Sequence, residues 1–260
     1  MYNAVEGNLR AAMRCYSNIG GDGEARDYPA VTVASTGLDV SVFNSAMLPG
    51  PADSIDSAIA QAEVHFRARR LGWTFWVCED LLSHSGRANL HAAFTTRRMT
   101  WIASPPGMFA QRLLPPVRPA ASMTFDRVGN ERTRLEFAHI ASVVFSLAFT
   151  TAKQIYGSSR LWRPPSHGWI GYFEGKPVSI VTVVIAEGAA GVYSLGTLPQ
   201  HQGCGFGETL LRHALEEARK EFGIERTVLQ ATPQGSHLYL RMGYRIVTKF
   251  SIFMREGSAL

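Results

Sequence analysis

The segment between Pro199 and Gly207 holds the residues whose types and spacing most directly suggest chemistry. It lies between an apolar run that ends at Leu198 and an amphipathic run that follows. Glycines let a backbone approach a ligand closely, and successive N–H groups beside a helix N-terminus attract anions. The spacing Gln202-x-x-Gly205-x-Gly207 therefore predicts a phosphate or diphosphate site. An ordinary tight connection between a strand and a helix is the alternative.

Two segments in this part of the chain resemble the GNAT superfamily of N-acetyltransferases. The first is the run Thr197-Leu198-Pro199-x-x-Gln202-Gly203-Cys204-Gly205-Phe206-Gly207, which resembles the family's acetyl-CoA signature. The second is the run from Leu229 to Tyr244, which is similar to the family's later strand, loop and short helix, with Tyr239 ahead of the pair Gly243-Tyr244. The resemblance covers residues 120–255, and the two motifs together are more specific than either alone.

The resemblance implies that acetyl-CoA is the co-substrate and that no metal takes part. The strand around Gly196 would bind the pantetheine arm through its backbone, with a bulge at that glycine, and the loop would bind the diphosphate. The implied cofactor-binding residues are Leu195, Gly196, Thr197, Gln202, Gly203, Cys204, Gly205, Phe206 and Gly207.

The resemblance also implies a catalytic role for Tyr239, which would lie near the thioester sulfur. A free phenol has a pKa of about 10 and a thiol one of about 8.5, so full proton donation to the thiolate is uphill by roughly 2 kcal/mol. A hydrogen bond that strengthens as charge grows on the sulfur therefore fits better than proton transfer. Without the resemblance, Tyr239 reads as an amphipathic core residue.

The activity that the resemblance implies is acetyl transfer to a primary amine by direct attack in a ternary complex. The strand from Val192 to Leu198 contains no Glu or Asp that could deprotonate the amine. His167, Glu174 and Glu187 are predicted to be surface residues, so no general base is assigned. A non-catalytic acyl-CoA-binding sensor and a transferase that uses another acyl-CoA are the alternatives.

The helices and strands that the sequence predicts around these residues indicate a mixed α/β fold with a largely antiparallel sheet flanked by helices. Apolar positions recur every three or four residues from Glu208 to Glu221, and Gly223 ends this predicted helix. An antiparallel meander of β-prone segments precedes the loop, and helical segments are predicted over 131–156.

The prolines between Pro105 and Pro119 predict a linker that neither a helix nor a central strand crosses. We therefore divide the chain near residue 117, into domains 1–117 and 118–260. A helix over 55–70 and strands over 73–78 and 99–103 parallel the second domain, which predicts two tandem GNAT-like copies. The first would be degenerate, because its loop over 47–53 contains prolines that supply no N–H. Chance similarity between two α/β segments is the alternative.

Composition narrows the function classes. The 260 residues carry a net charge of +5, with basic doublets such as Arg69-Arg70 instead of a long basic stripe, so no nucleic-acid partner is expected. The longest apolar run, 140–149, is shorter than the roughly 20 residues that cross a bilayer, and the start lacks a signal-peptide core. Three separated cysteines indicate neither disulfides nor zinc. We expect a cytoplasmic enzyme without a membrane partner, acting on a small-molecule or peptide amine, and a homodimer is left open.

Overall fold

A computed structural model describes residues 1–255 of the chain. Within that range the chain forms seven α-helices and twelve β-strands. The helices are α1 (Tyr2–Ser17), α2 (Asp56–Arg69), α3 (His84–Thr95), α4 (Glu131–Val144), α5 (Phe149–Tyr156), α6 (Phe206–Phe222) and α7 (Pro233–Arg241). The strands are β1 (Glu24–Asp27), β2 (Thr32–Ser35), β3 (Asn44–Met47), β4 (Trp73–Cys78), β5 (Thr100–Ala103), β6 (Pro106–Ala110), β7 (Thr124–Arg127), β8 (Ser166–Phe173), β9 (Lys176–Ala186), β10 (Ala189–Thr197), β11 (Thr227–Gln230) and β12 (Arg245–Arg255).

The strands form one sheet. Its order is β1-β2-β3-β4-β12-β6-β11-β10-β9-β8-β7, and β5 pairs with β12 beside this path. All pairs of these strands are antiparallel except β3–β4 and β10–β11. The predicted fold class, a mixed and largely antiparallel sheet flanked by helices, is confirmed.

The two halves of the chain repeat one order of elements. In the N-terminal half (residues 1–117), an antiparallel β1-β2-β3 meander is followed by α2, the strand β4 parallel to β3, then α3 and β5. In the C-terminal half (residues 118–255), an antiparallel β8-β9-β10 meander is followed by α6, the strand β11 parallel to β10, then α7 and β12. This repeated topology supports the predicted tandem arrangement.

The predicted linker is wrong in its first part. Residues 106–110 form strand β6, which lies in the sheet between β11 and β12. Pro106 stands at the first position of this strand, where a missing N–H is tolerated, and the residues after it supply the ladder. Residues 111–123 contain no helix or strand. Where the chain divides into domains stays a prediction, since the sheet runs continuously across residue 117.

The C-terminal half buries apolar side chains on both faces of its strands. Val181 of β9 clusters with Leu210 of α6 and Tyr239 of α7. The neighbouring Ile180 clusters instead with α4 and with Tyr156 of α5. Successive residues of a strand point to opposite faces, so α6 and α7 cover one face and α4 and α5 the other.

Helix α1 comes from the N-terminal half but packs on β9, β10 and β11. The side-chain amide nitrogen of its fully buried Asn8 shares its two N–H groups among the carbonyls of Val184 at 3.1 Å, Ala186 at 2.9 Å and Ala189 at 3.0 Å. The hydroxyl of Tyr193 donates to Asn8 Oδ1 at 2.8 Å. A buried amide with its polar atoms paired in this way fixes the helix on the β9–β10 hairpin.

Helix α6 follows the predicted pattern. Leu210, Ala214 and Ala218 are fully buried, because side chains four residues apart share one face of a helix. The helix ends at Gly223, whose φ of 69° is a left-handed conformation that favours glycine. The packed face and the cap together hold the N-terminus of α6 beside the end of β10.

Candidate active site

Strand β10 leaves one backbone edge open over its second half. Its register with β9 extends from Ala189 to Thr197. Its register with β11 includes only Ala190 and Gly191. Within the described part of the chain, residues 192–197 therefore have β9 on one side and no strand on the other. An edge of this kind can accept an extended, amide-containing chain as an added strand.

The open edge begins at a β-bulge. Tyr193 lies opposite Thr182 and Gly196 opposite Ile180, so two residues of β10 face one residue of β9. The bulge that the sequence predicts around Gly196 is confirmed. Close packing against α4 is a further reason for a glycine at position 196, since a Cβ there would lie 2.6 Å from Val144 Cγ1.

The loop after β10 combines left-handed glycines with open space. Gly203 has a φ of 78° and Gly205 one of 83°, and a Cβ at either position would meet no atom within 4 Å. The side-chain amide of Gln202 donates to the carbonyl of Thr197 at 3.1 Å, which ties the loop to the end of β10. Gln202, Gly203, Cys204 and Gly205 are all exposed. The loop is thus an open, glycine-lined surface, as an anion site requires.

The N-terminus of α6 points into this loop. Gly205 is the N-cap and no side chain caps the helix, so its first N–H groups are left for another acceptor. Phe206 is buried, with its ring 4.9 Å from that of Phe173, and anchors the first turn. A Cβ at Gly207 would lie 3.1 Å from Thr197 Oγ1, so strand and helix approach closely here. The uncapped amides and the helix dipole favour an anion at this position.

Tyr239 lies in the same apolar cluster as the helix and the strand edge. It is 9% exposed, and the half-buried Leu195 packs against its cluster. Its ring meets that of Tyr244 edge-on at 5.6 Å. Burial raises the pKa of Tyr239 to about 12, so its hydroxyl stays protonated at neutral pH.

The three candidate general bases differ in their solvent exposure. Glu174 and Glu187 are exposed, as predicted. His167 was expected at the surface, and this is wrong, because it is only 4% exposed. It lies beside Arg127 and beneath Phe222, and burial together with the Arg127 charge lowers its pKa to about 4. No general base emerges from these three.

Sequence reasoning missed the residues that surround the bulge. Ser194 has a φ of 46°, and its hydroxyl lies between those of Tyr16 in α1 and Tyr156 in α5. The partners are distant in sequence, and no local pattern in the chain links them to β10. Only the Ser-Leu-Gly run at 194–196 could have marked the position.

No group of three or more His, Cys, Asp or Glu side chains between residues 1 and 255 could hold a metal ion. In the same range, no helix is both long and apolar enough to cross a membrane.

Part of the chain matches a known protein family, and solved structures resemble nearly all of it. Residues 135–244 match the family model described as "Acetyltransferase (GNAT) family". A GCN5-related N-acetyltransferase from Kribbella flavida has a similar structure, with a TM-score of 0.71, 19% identity and 97% coverage of both chains. A functionally unknown conserved protein from Staphylococcus epidermidis has a TM-score of 0.66 at 14% identity, over 93% of this chain and 97% of that one.

A tandem GNAT protein from the clavulanic acid biosynthesis pathway is also similar, with a TM-score of 0.55 and 12% identity, over 98% of this chain and 96% of that one. No curated protein matches the sequence. At these identities the solved structures show the fold of nearly the whole chain, and the tandem neighbour agrees with the repeated order of elements in the two halves.

Proposed function

We propose that the chain, whose residues 135–244 match the GNAT acetyltransferase family model, is an acyltransferase that transfers an acetyl group from acetyl-CoA to a primary amine. In this reaction the amine nitrogen forms a bond to the acetyl carbon, the carbon–sulfur bond breaks, and the amine gives up one proton. The observation that carries the proposal is the open edge of β10 leading into the glycine loop at the N-terminus of α6.

The donor would lie along this edge. Backbone groups of Leu195, Gly196 and Thr197 would pair with the amides of the pantetheine arm, as an added strand does. The amides from Gln202 to Gly207 would bind the diphosphate, and the left-handed glycines and the helix N-terminus support this assignment. No cationic side chain is needed for this recognition.

Tyr239 would act as a hydrogen-bond donor to the departing thiolate. With the pKa of Tyr239 near 12 and that of a thiol near 8.5, full proton transfer to sulfur is uphill by about 5 kcal/mol. Donation of a hydrogen bond carries no such cost and strengthens as negative charge develops on sulfur. The proton lost by the amine must therefore leave by another path, through water or a group of the acceptor.

The lack of an identified base favours a second candidate function, an acyl-CoA-binding protein without turnover. β10 contains no carboxylate or imidazole beyond residue 191, and the buried His167 faces α6. A transferase that prefers another acyl-CoA shares the donor site and differs only in the space around the acyl group. A cytoplasmic location, a small-molecule or peptide amine as acceptor, and a homodimer stay predictions.

Thiol release tests the proposal. The purified chain is incubated with acetyl-CoA and a panel of primary amines, and free CoA is measured for wild type, Tyr239→Phe and Tyr28→Phe. The control Tyr28→Phe removes a half-buried hydroxyl that bonds His65, in the N-terminal half. We expect amine-dependent release that falls by about tenfold or more only in Tyr239→Phe.

The outcomes separate the candidates. Tight CoA binding without turnover for any amine supports the binding protein and refutes the enzyme. Faster turnover with a longer acyl-CoA than with acetyl-CoA supports the other transferase. Equal rates of CoA release for Tyr239→Phe and wild type would refute the proposed role of Tyr239 in the reaction.

A further inference from the structure

The β-bulge at the open edge of β10 contains a strained residue. Ser194 has a φ of 46°, a left-handed conformation that favours glycine over residues with a side chain. Strain of this kind persists only where the surrounding structure holds it. The contacts of Ser194 therefore indicate what sets the geometry of the bulge.

The hydroxyl of Ser194 is held from two sides. It lies 2.6 Å from the hydroxyl of Tyr16 and 3.1 Å from that of Tyr156. A serine hydroxyl can donate one hydrogen bond and accept two, so both contacts can be made at once. The tyrosines are 5% and 1% exposed, and their rings meet edge-on at 6.2 Å, with Phe43 packed against both. Burial raises the pKa of Tyr16 to about 12, so its hydroxyl stays protonated at neutral pH.

The contact from Tyr16 is one of two that α1 makes to the bulge region. Asn8, two turns earlier in the helix, accepts from the hydroxyl of Tyr193, the residue just before Ser194. Pairing of β10 with β11 stops at Gly191. Helix α1 thus supports β10 at the point where its neighbouring strand no longer does.

We propose that Ser194 is a positioning residue for acyl transfer and that Tyr16 couples the N-terminal half of the chain to the reaction through it. The inference rests on the proposed function, because the backbone that follows the bulge, from Leu195 to Thr197, is the edge assigned to the donor. The two tyrosine hydroxyls fix Ser194, the bulge fixes the direction of this edge, and the edge fixes the thioester relative to Tyr239.

Four variants test this. Ser194→Ala removes the shared hydroxyl, and Tyr16→Phe combined with Tyr156→Phe removes its two partners while keeping the rings. Ser194→Gly also removes the hydroxyl but relieves the backbone strain. Tyr28→Phe is the matched control, since it loses a tyrosine hydroxyl bond in the N-terminal half without contact to β10.

The first readout separates kcat from donor affinity. We expect kcat to fall at least about tenfold in Ser194→Ala, Ser194→Gly and the double variant, since each loses two hydrogen bonds worth about threefold to tenfold each. The Kd for CoA, measured by calorimetry, should change less than about threefold, because the glycine loop is untouched. A purely structural role would lower the unfolding midpoint and leave kcat unchanged well below it.

The second readout does not need turnover. Hydrogen–deuterium exchange of a peptide covering residues 193–198 should become at least about fivefold faster in the same three variants and stay unchanged in Tyr28→Phe. Wild type without activity on any amine would refute the proposed function, and this exchange would still decide whether the tyrosines hold the bulge. Exchange and kcat within twofold of wild type in the double variant, or full activity of Ser194→Gly, would overturn the inference.

Discussion

A single methyl group at Gly205 perturbs the proposed donor site most directly. Gly205 is the N-cap of α6, with φ 83° and ψ 0°. An alanine in this left-handed conformation costs roughly 1–2 kcal/mol. Its Cβ would meet no atom within 4 Å, so the protein should still fold. Either the strain persists with the methyl in the space assigned to the diphosphate, or the backbone relaxes and turns its N–H groups away.

Gly223 supplies a matched control at the other end of the same helix. It has φ 69° and ψ 18°, and a Cβ there also meets no atom within 4 Å. Both alanine variants should therefore lose roughly 1–2 kcal/mol of unfolding free energy in urea titrations. Only Gly205→Ala should weaken CoA binding. A charge-assisted hydrogen bond contributes about 1.5–3 kcal/mol, so losing one raises the Kd at least about tenfold.

Aspartate at Gly205 separates binding from folding. A negative charge at a helix N-terminus stabilises the helix by about 0.3–1 kcal/mol, and the same charge repels a diphosphate. Gly205→Asp should thus unfold at higher urea than Gly205→Ala and yet bind CoA more weakly in calorimetry. Equal loss of CoA affinity at Gly205 and Gly223, or wild-type affinity in Gly205→Asp, would refute the assignment of this loop to the diphosphate.

Three further predictions concern other contacts. Burial, opposed by Arg10, raises the pKa of Glu6 from about 4.5 to about 7. A carboxyl whose pKa is higher in the folded than in the unfolded state makes the protein less stable as the pH rises. Between these two pKa values the free energy of unfolding should fall by about 3 kcal/mol. Glu6→Gln should therefore be more stable than wild type at pH 8 but not at pH 4, and a pH-independent difference in urea midpoints would contradict this. Gln202→Ala loses the bond to the Thr197 carbonyl and should bind CoA about threefold to tenfold more weakly, with unfolding unchanged; wild-type affinity would count against it. Asn8→Ala leaves three carbonyls of the β9–β10 hairpin without their donor and should lower the unfolding free energy by about 3 kcal/mol or more, whereas a loss under about 1 kcal/mol would show that water replaces the amide.

Local signals in the sequence predict the elements that carry the donor site. The apolar spacing of α6, its end at Gly223 and the glycines before it are all set by residues close in the chain, and the structure agrees with them. Gly196 likewise marks the bulge. Periodicity and backbone conformation are local properties, so a single sequence contains them.

The features that could not be predicted from the sequence depend on contacts between residues far apart in the chain. Prolines at 105 and 106 suggest a linker. The last three residues of β6 are apolar, however, and this strand lies in the sheet between β11 and β12, which follow more than a hundred residues later in the chain. The place of Tyr16 beside Ser194 depends in the same way on how α1 packs across the sheet. No spacing rule reports a contact between residues so far apart, and a buried histidine such as His167 is missed for the same reason.

The sheet itself explains why the N-terminal half can lack a glycine loop and still matter to the reaction. Its connection from β3 to α2 has one glycine, Gly50, between two prolines, so it offers few N–H groups to an anion. Yet this half supplies β6, whose register with β11 runs from Gly107 to Ala110, and receives the end of β12, which pairs with β4. It also supplies α1, which holds β10 beside the bulge. Each half therefore completes the sheet of the other, so the N-terminal half would support the geometry of the C-terminal half even if, as we predict, it does not bind the donor.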